Sequence, residues 1–429
     1  MDPTKLVESD PRARPKPFTF RPPKRNRLVI ALVKMRLRRT IRRKLKVTEI
    51  DVSQDDLGKL RKLKGKRCLL TPSHSGGFEP HIIMYLSKLL GDDYNYMAAM
   101  EAFEQSAVNG WIMQRIGAYS IIRGTADRPS FQITRRLLAS GKRWLVIFPE
   151  GQTVWQNSTV IPFQQGVIQL AFKAHEDAAK SEDGPSLFCI PIAVKYVYLE
   201  DMHDEIDASL ARLESKLFAS EDLEPLPRYE RLRRVGEAVL AANEKMHHVT
   251  PDAASSMDDR IQKMKECIVS GLEQQLELTP PEGRMLLDRI RTLFNAVDRI
   301  VHEESEASDY ERQLALERRQ AVRNLYDDLW RVLQFVAIYD GYVSESMTVD
   351  RFLDVLCLLE MEVFKERRMW GPRKARVKVG DPVDLKDHHA AYTTDRRGAV
   401  QDVTLALESS VGQMLDALGA DCETVRQTT

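Results

Sequence analysis

Apolar and polar residues follow two rhythms along this chain, and the rhythm changes near residues 47 and 200. Between those points, short apolar runs at 68–71, 94–98, 118–123, 144–148 and 188–198 predict strands. Helical spacing at 81–90, 111–116, 130–140 and 166–179 fills the gaps. Strands alternating with helices predict an α/β fold, a sheet covered by helices. Pro191 interrupts the last apolar run and reads as an edge strand or a strand start.

On either side the period is helical. Val33, Leu37, Ile41 and Leu45 recur at i+4 within a predicted helix over 27–47. After residue 198 an acidic stretch, 199–206, reads as a solvated helix start, and helical spacing then runs over 208–370. Thr279-Pro280-Pro281-Glu282 has the form of a capping box. Leu286, Ile290, Leu293, Val297 and Ile300 form one seam. Ser308-Asp309-Tyr310-Glu311 then opens a second seam of Leu314, Ala321, Leu325, Leu329, Val332 and Val336. Two such helices joined by a short acidic loop predict an antiparallel hairpin. A helix over 349–364 is apolar on most faces and is expected to be buried. Residues 375–384 alternate like a strand and end in Gly-Asp-Pro, and a last helix is expected over 395–418.

Charge changes the picture at the N-terminus. The chain of 429 residues carries a net charge of only +1, but residues 11–48 hold 15 Lys and Arg and no Asp or Glu, leaving −14 for the remainder. A basic arm on an acidic body implies a polyanionic partner: an anionic membrane surface, nucleic acid or an acidic protein. The stripe from Val33 to Leu45, framed by Arg36, Arg38, Arg39, Arg42, Arg43, Lys44 and Lys46, has the pattern of a helix lying on anionic headgroups. No aromatic residues interleave these charges, which disfavours nucleic acid. The competing reading packs the stripe on the domain itself. Five scattered cysteines without CxxC spacing predict reduced thiols in a cytoplasmic setting. No apolar run is long enough to span a bilayer, and the first residues do not read as a signal peptide.

The candidate chemistry centres on Ser73-His74-Ser75-Gly76-Gly77-Phe78-Glu79-Pro80, a turn between a predicted strand and a predicted helix. One imidazole and one carboxylate stand five positions apart. The carboxylate can fix the ring's tautomer, leaving the other nitrogen to take a proton. No cysteine or buried lysine stands beside the pair, so it reads as a general base without a protein nucleophile, and the nucleophile would be a substrate hydroxyl. His74, Glu79 and His81 alone do not complete a metal-ligand set, and no metal is expected. Two more strand ends carry polar groups, Arg123 after Gly117 to Ile122, and Glu150-Gly151 in Phe148-Pro149-Glu150-Gly151-Gln152-Thr153. By itself each is an ordinary surface arginine or turn.

In their order and spacing these stretches resemble the blocks of the glycerolipid acyltransferases, the superfamily acting on glycerol 3-phosphate and 1-acylglycerol 3-phosphate. The family's His-x-x-x-x-Asp stands here as His74 to Glu79, with Glu in place of Asp. A Gly-x-x-x-Ile-x-Arg block matches Gly117 to Arg123, and Phe-Pro-Glu-Gly-Thr matches Phe148 to Gly151 with Gln152 for Thr. Phe163-Gln164-Gln165-Gly166 and Ile190-Pro191 match later blocks. The Arg-Ser-Arg run often found after the third block is absent, and Gln152-Thr153-Val154-Trp155-Gln156-Asn157 stands there.

The resemblance implies a mixed central sheet flanked by helices and an O-acyltransferase activity. His74 is the implied general base and Glu79 its orienting group, while Ser75, Arg123, Glu150 and Gly151 bind substrate. The donor would be acyl-CoA or acyl-carrier protein as a co-substrate, with no cofactor. The acceptor would be a lysophospholipid or glycerol-phosphate-type hydroxyl. Backbone N–H groups around Gly76-Gly77 or across the cleft would stabilise the tetrahedral oxyanion. Residues 375–384 resemble the strand that follows the fourth block in this family, so the helical stretch reads as an insertion. The expected organisation is a basic, membrane-contacting arm (1–47), an acyltransferase domain (48–200), a helical insertion (201–371), a returning strand and helix (372–418) and a tail (419–429). The insertion offers helices 285–340 to a second copy or a protein partner. The expected location is cytoplasmic and peripheral to a membrane. The alternative is an inactive membrane-associated scaffold of the same fold that works through its insertion.

Overall fold

The computed structural model describes residues 19–122, 127–182, 184–218, 223–251, 254–281, 283–302, 313, 317, 325–333 and 343–427. The chain opens with α1 (Arg27–Leu45), β1 (Val47–Val52), α2 (Gln54–Lys62), β2 (Arg67–Pro72) and α3 (Glu79–Leu89). Then come β3 (Asn95–Ala99), α4 (Met100–Glu104), α5 (Ala107–Ile116), β4 (Ala118–Ile121), α6 (Arg128–Ser140), β5 (Leu145–Val146), α7 (Gln165–Ala179) and β6 (Leu187–Tyr198). Helices α8 (His203–Leu217), α9 (Arg228–Met246), α10 (Met257–Gln275) and α11 (Leu286–His302) follow, with a helical stretch at 325–333 and α12 (Val349–Phe364). The chain closes with β7 (Arg373–Val379), β8 (Val383–Asp384), α13 (Leu385–Thr394) and α14 (Arg396–Gly419).

The eight strands form one mixed sheet in the order β1-β7-β6-β2-β5-β3-β4, with β8 also on β6. β6 runs antiparallel to β7 and β8, and every other pair is parallel. Alternation along the strands divides the core between two faces. Cys68, Leu70, Val146, Ile190 and Ile192 pack with Leu37, Ile41 and Ile82 on one face. Leu69, Leu145, Cys189 and Ala193 pack with Phe172, Val403 and Leu407 on the other.

Pro191 departs from the edge-strand expectation, because β6 is interior to the sheet. On the antiparallel side, β7 pairing ends at Ile192 and β8 pairing begins at Cys189. Pro191 lies between the two registers, opposite the turn that joins β7 to β8, and its carbonyl accepts from Gly380 N at 2.9 Å. The missing N–H falls where the antiparallel ladder is already interrupted.

The stripe on α1 departs from the membrane expectation. Asn26 caps the helix by accepting from Leu28 N and Val29 N. Leu37, Ile41 and Leu45 are buried in the sheet core and Val33 is partly buried against it. The stripe is therefore a packing face. The exposed apolar side chains of α1 are others: Leu28, Leu32 and Met35, at 82%, 43% and 67% exposure.

The helical stretch stands over one end of the sheet for a topological reason. β6 is parallel to β2, so the chain leaves β6 at the same sheet end at which it leaves β2. β7 is antiparallel to β6 and starts back from that end. Whatever lies between them is placed above the carboxyl ends of the parallel strands. Within it, α8, α9 and α12 share one core around Leu210, Leu232, Val235 and Phe352. α10 and α11 share another with Leu325, Leu329 and Val332. The described part of the apolar seam, Ile290, Leu293 and Val297, is consumed in that core. Ser308 to Glu311, Leu314, Ala321 and Val336 lie outside the described residues. The expected cap at Thr279 also differs, since α11 begins only at Leu286. Thr279 to Pro281 carry no helix, Glu282 lies outside the described residues, and Gly283 turns the chain at φ +73°.

A buried polar cluster ties this helical stretch to the sheet. Lys195 Nζ on β6 lies 2.8 Å from Asp350 Oδ2 on α12, with side chains only 3% and 4% exposed. The same Asp350 oxygen accepts from Ser158 Oγ and Asn157 Nδ2. Asn157 N donates to Asp354 Oδ2 at 2.7 Å. Burial opposes ionisation of Asp350, but Lys195 outweighs it and holds the carboxyl below its usual range. Asp350→Ala strands a buried ammonium, which is expected to cost about 3–5 kcal/mol. Chemical denaturation measures it, and pairing Asp350→Leu with Lys195→Met should recover most of the loss. A cost below about 1 kcal/mol for the single variant would show that water reaches Lys195.

Candidate functional site

The site is built where β2 and β5 release their carboxyl ends, the usual crevice of a largely parallel sheet. β2 runs out at Pro72, and Ser73 stays pinned to β6, its N–H donating to Ile192 O at 2.9 Å and its Oγ accepting from Val194 N at 3.0 Å. The chain then turns through Ser75-Gly76-Gly77, with Gly77 at φ +74°, and enters α3 at Glu79. That turn folds residue 79 back onto residue 74.

His74 Nδ1 and Glu79 Oε2 are 3.0 Å apart. Glu79 is wholly buried, and its other oxygen accepts from Gly76 N at 2.9 Å and Ser75 Oγ at 3.4 Å. Burial disfavours the charge, but the hydrogen bond and charge of His74 and the backbone N–H groups outweigh it and hold the carboxyl below its usual range. Its position in the first turn of α3 favours the same state. The extra methylene of Glu relative to Asp is taken up in this backward reach, and the ring contact is made. The His74 ring is fixed on its flat side as well, stacked on Phe148 with centroids 4.3 Å apart.

The third block reaches the histidine from behind. Glu150 is expected in the acceptor pocket, but the structure corrects this. Glu150 is fully buried, with one oxygen accepting from His74 N at 2.7 Å and the other from Ile161 N at 3.3 Å. It is an inward strut that holds the backbone of residue 74. Burial pushes its carboxyl up to about 8, against the pull of those two N–H groups. Gly151, at φ +74°, closes the turn with its N–H on Phe148 O at 3.1 Å. A Cβ there would displace the Gln164 side chain, and the positive φ itself favours glycine.

Ser75 is also corrected. It is 3% exposed and its hydroxyl points at Glu79, so it supports the carboxylate rather than facing substrate. The Gly76 N–H, a candidate oxyanion donor, is spent on Glu79 in the same way. Arg123 lies outside the described residues. Among the described residues no group of His, Cys, Asp and Glu could hold a metal ion.

Three residues of this neighbourhood carried no sequence signal. Arg291 on α11 donates to the carbonyls of Glu150 at 3.0 Å and Pro162 at 2.8 Å. Arg367, after α12, lies over Trp155, its guanidinium carbon 3.3 Å from the ring centroid. Tyr196 is buried on β6, its hydroxyl pushed up by burial and by the charge of Glu79. Arg291 and Arg367 come from far along the chain, and only the return of β7 to the sheet would hint that they reach this end of it.

Residues 44–195 match the family model described as Acyltransferase. This chain carries an acyltransferase domain. The match runs from the end of α1 into β6 and takes in both His74 and Glu79. A search of curated proteins finds no match to the chain. The acyltransferase sheet is completed outside the matched segment, by β7 and β8.

Proposed function

We propose that the domain transfers a fatty acyl group from a thioester, acyl-CoA or acyl-carrier protein, to the hydroxyl of a lysophospholipid or glycerol-phosphate-type acceptor. One observation carries this reading: a histidine whose Nδ1 sits 3.0 Å from a wholly buried carboxylate at the carboxyl end of β2. Glu79 fixes the ring so that Nε2 can take the acceptor's proton. The acceptor oxygen attacks the thioester carbonyl and a new C–O bond forms. The C–S bond then breaks, and the departing thiolate takes the proton back from His74. No protein nucleophile and no cofactor enters this scheme. The direct test is to incubate the purified protein with acyl thioesters and a panel of acceptors, and to look for ester product and free thiol together.

The acceptor is amphiphilic, so the reading includes a membrane surface. It draws on Leu28, Leu32 and Met35, exposed on α1, and Val108 and Trp111, exposed on α5. The two helices adjoin, with Lys24 N and Asn26 N donating to Gln114 O and Arg115 O. Exposed Arg36, Arg39, Arg42 and Arg43 continue along α1. Apolar side chains beside Arg suit an anionic headgroup layer. No described helix is long and apolar enough to cross a membrane. Flotation with anionic vesicles checks this: changing Leu28, Leu32 and Met35 together to Ser should lower the bound fraction several-fold without lowering the melting temperature. Unchanged flotation would remove this face from the account.

A further inference from the structure

We propose that Arg367, supplied by the helical stretch between β6 and β7, binds a phosphate-type anion on the acyl acceptor. The proposal rests on the reading that His74 activates an acceptor hydroxyl, and it adds a residue that the acyltransferase blocks do not contain.

One charge near the His74 turn is unmatched. The Arg367 guanidinium is largely withdrawn from solvent; its Nε is buried without a hydrogen-bond partner, and the side chain beside it, the Cys357 thiol, is kept neutral by burial. Among the described residues Arg367 forms no ion pair. Its neighbour Arg368 reaches Glu360, and Arg331 and Arg289 each hold two carboxylates. A cation withdrawn from water without a counter-ion is costly, so its place invites an anion from outside. Glu79 is near enough to influence Arg367, but its oxygens are occupied by His74, Gly76 and Ser75.

The second observation is where the cation lies. Arg367 stacks on Trp155 and stands 5.2 Å from the Phe78 ring centroid. Trp155 in turn covers Gly77, where a Cβ would sit 3.5 Å from the indole. Arg367, Trp155 and Gly77 are thus layered over the turn that joins His74 to Glu79. Trp155 itself stands in the segment after Glu150-Gly151, which carries no basic residue through Asn157. The positive charge missing from that segment is returned to it by a residue more than two hundred positions later. A guanidinium held flat by an aromatic ring presents its edge nitrogens in the fork that phosphate oxygens fit.

Two phosphate sources are possible, the acceptor headgroup and the nucleotide of an acyl-CoA donor. The experiment separates them. Wild type, Arg367→Lys and Arg367→Met are assayed with a phosphate-bearing acceptor (glycerol 3-phosphate or lysophosphatidate) and a neutral one (glycerol or monoacylglycerol). Each acceptor is paired with acyl-CoA and with an acyl N-acetylcysteamine thioester, which has no phosphate. For Arg367→Met, the preference in kcat/KM for the phosphate acceptor over the neutral one should fall roughly tenfold to a hundredfold with either donor, mostly through KM. Arg367→Lys should fall between the two. Equal loss on both acceptors would mean that Arg367 only anchors the helices on Trp155, and a loss confined to acyl-CoA would place the anion on the donor; either overturns the proposal. Calorimetric titration with glycerol 3-phosphate and inorganic phosphate gives a readout independent of turnover. Arg367-dependent binding in a protein that acylates nothing would uphold the anion site while sinking the acyl-transfer reading. Binding that ignores Arg367 would overturn the site even in an active enzyme.

Discussion

His74→Ala should lower kcat/KM for acyl transfer by roughly 10²–10⁴-fold, the span a general base contributes. The loss should appear with every acceptor, because each acceptor hydroxyl must be deprotonated whatever headgroup it carries. The fold should survive, since the ring is partly exposed and its removal leaves Phe148 and the β2 strand in place. A melting temperature near that of wild type, with product formation at background, is the expected pair of results. Turnover within a few-fold of wild type would remove His74 from the mechanism.

Glu79→Gln should be almost as damaging, on the order of 10³-fold in kcat, because an amide can present its NH₂ to Nδ1 and favour the wrong ring tautomer. Glu79→Asp shortens the reach that closes the 3.0 Å contact and should fall between Gln and wild type. The same carboxylate sets an acid limb of stability. Its pKa in the folded protein lies below the ordinary value of 4.5. The stabilisation it provides is therefore complete above that value and is lost as pH falls through the lower, folded one. Glu79→Gln should show a shallower fall in melting temperature below about pH 4.5 than wild type. Identical acid limbs would mean that Glu79 carries no charge in the folded state.

These two residues were legible in the sequence because the chemistry is local. A turn of four residues separates them, and Gly76-Gly77 permits the backbone to double back. The strand pattern was legible for a similar reason, since the near-continuous apolar runs at 68–71 and 188–198 reflect two buried faces. Position along a long reach was not. A carboxylate at the end of a strand looks the same whether it faces substrate or, as Glu150 does, turns inward to hold a backbone N–H. The stripe on α1 had the spacing of a membrane helix, yet Leu37 and Ile41 meet the sheet, and nothing in an apolar stripe states what covers it. β1, α2, α4 and α13 went unread, being short or mostly polar, and they are held by neighbours rather than by their own pattern. Arg291 and Arg367 illustrate the harder limit. Each is an ordinary charged residue in a helical stretch, and only the antiparallel pairing of β6 with β7 sets that stretch above His74.

The central claim is that the acyl group passes directly from thioester to hydroxyl, with His74 carrying only the proton and no acyl-enzyme formed. One measurement tests it: rapid-quench single turnover of wild-type protein with a labelled acyl thioester, following ester product, free thiol and intact protein mass in the same samples. The account predicts ester and thiol rising together in a one-to-one ratio, only when acceptor is present, with the protein mass unchanged. Thiol released without acceptor, an acylated protein, or no ester from any acceptor would contradict it.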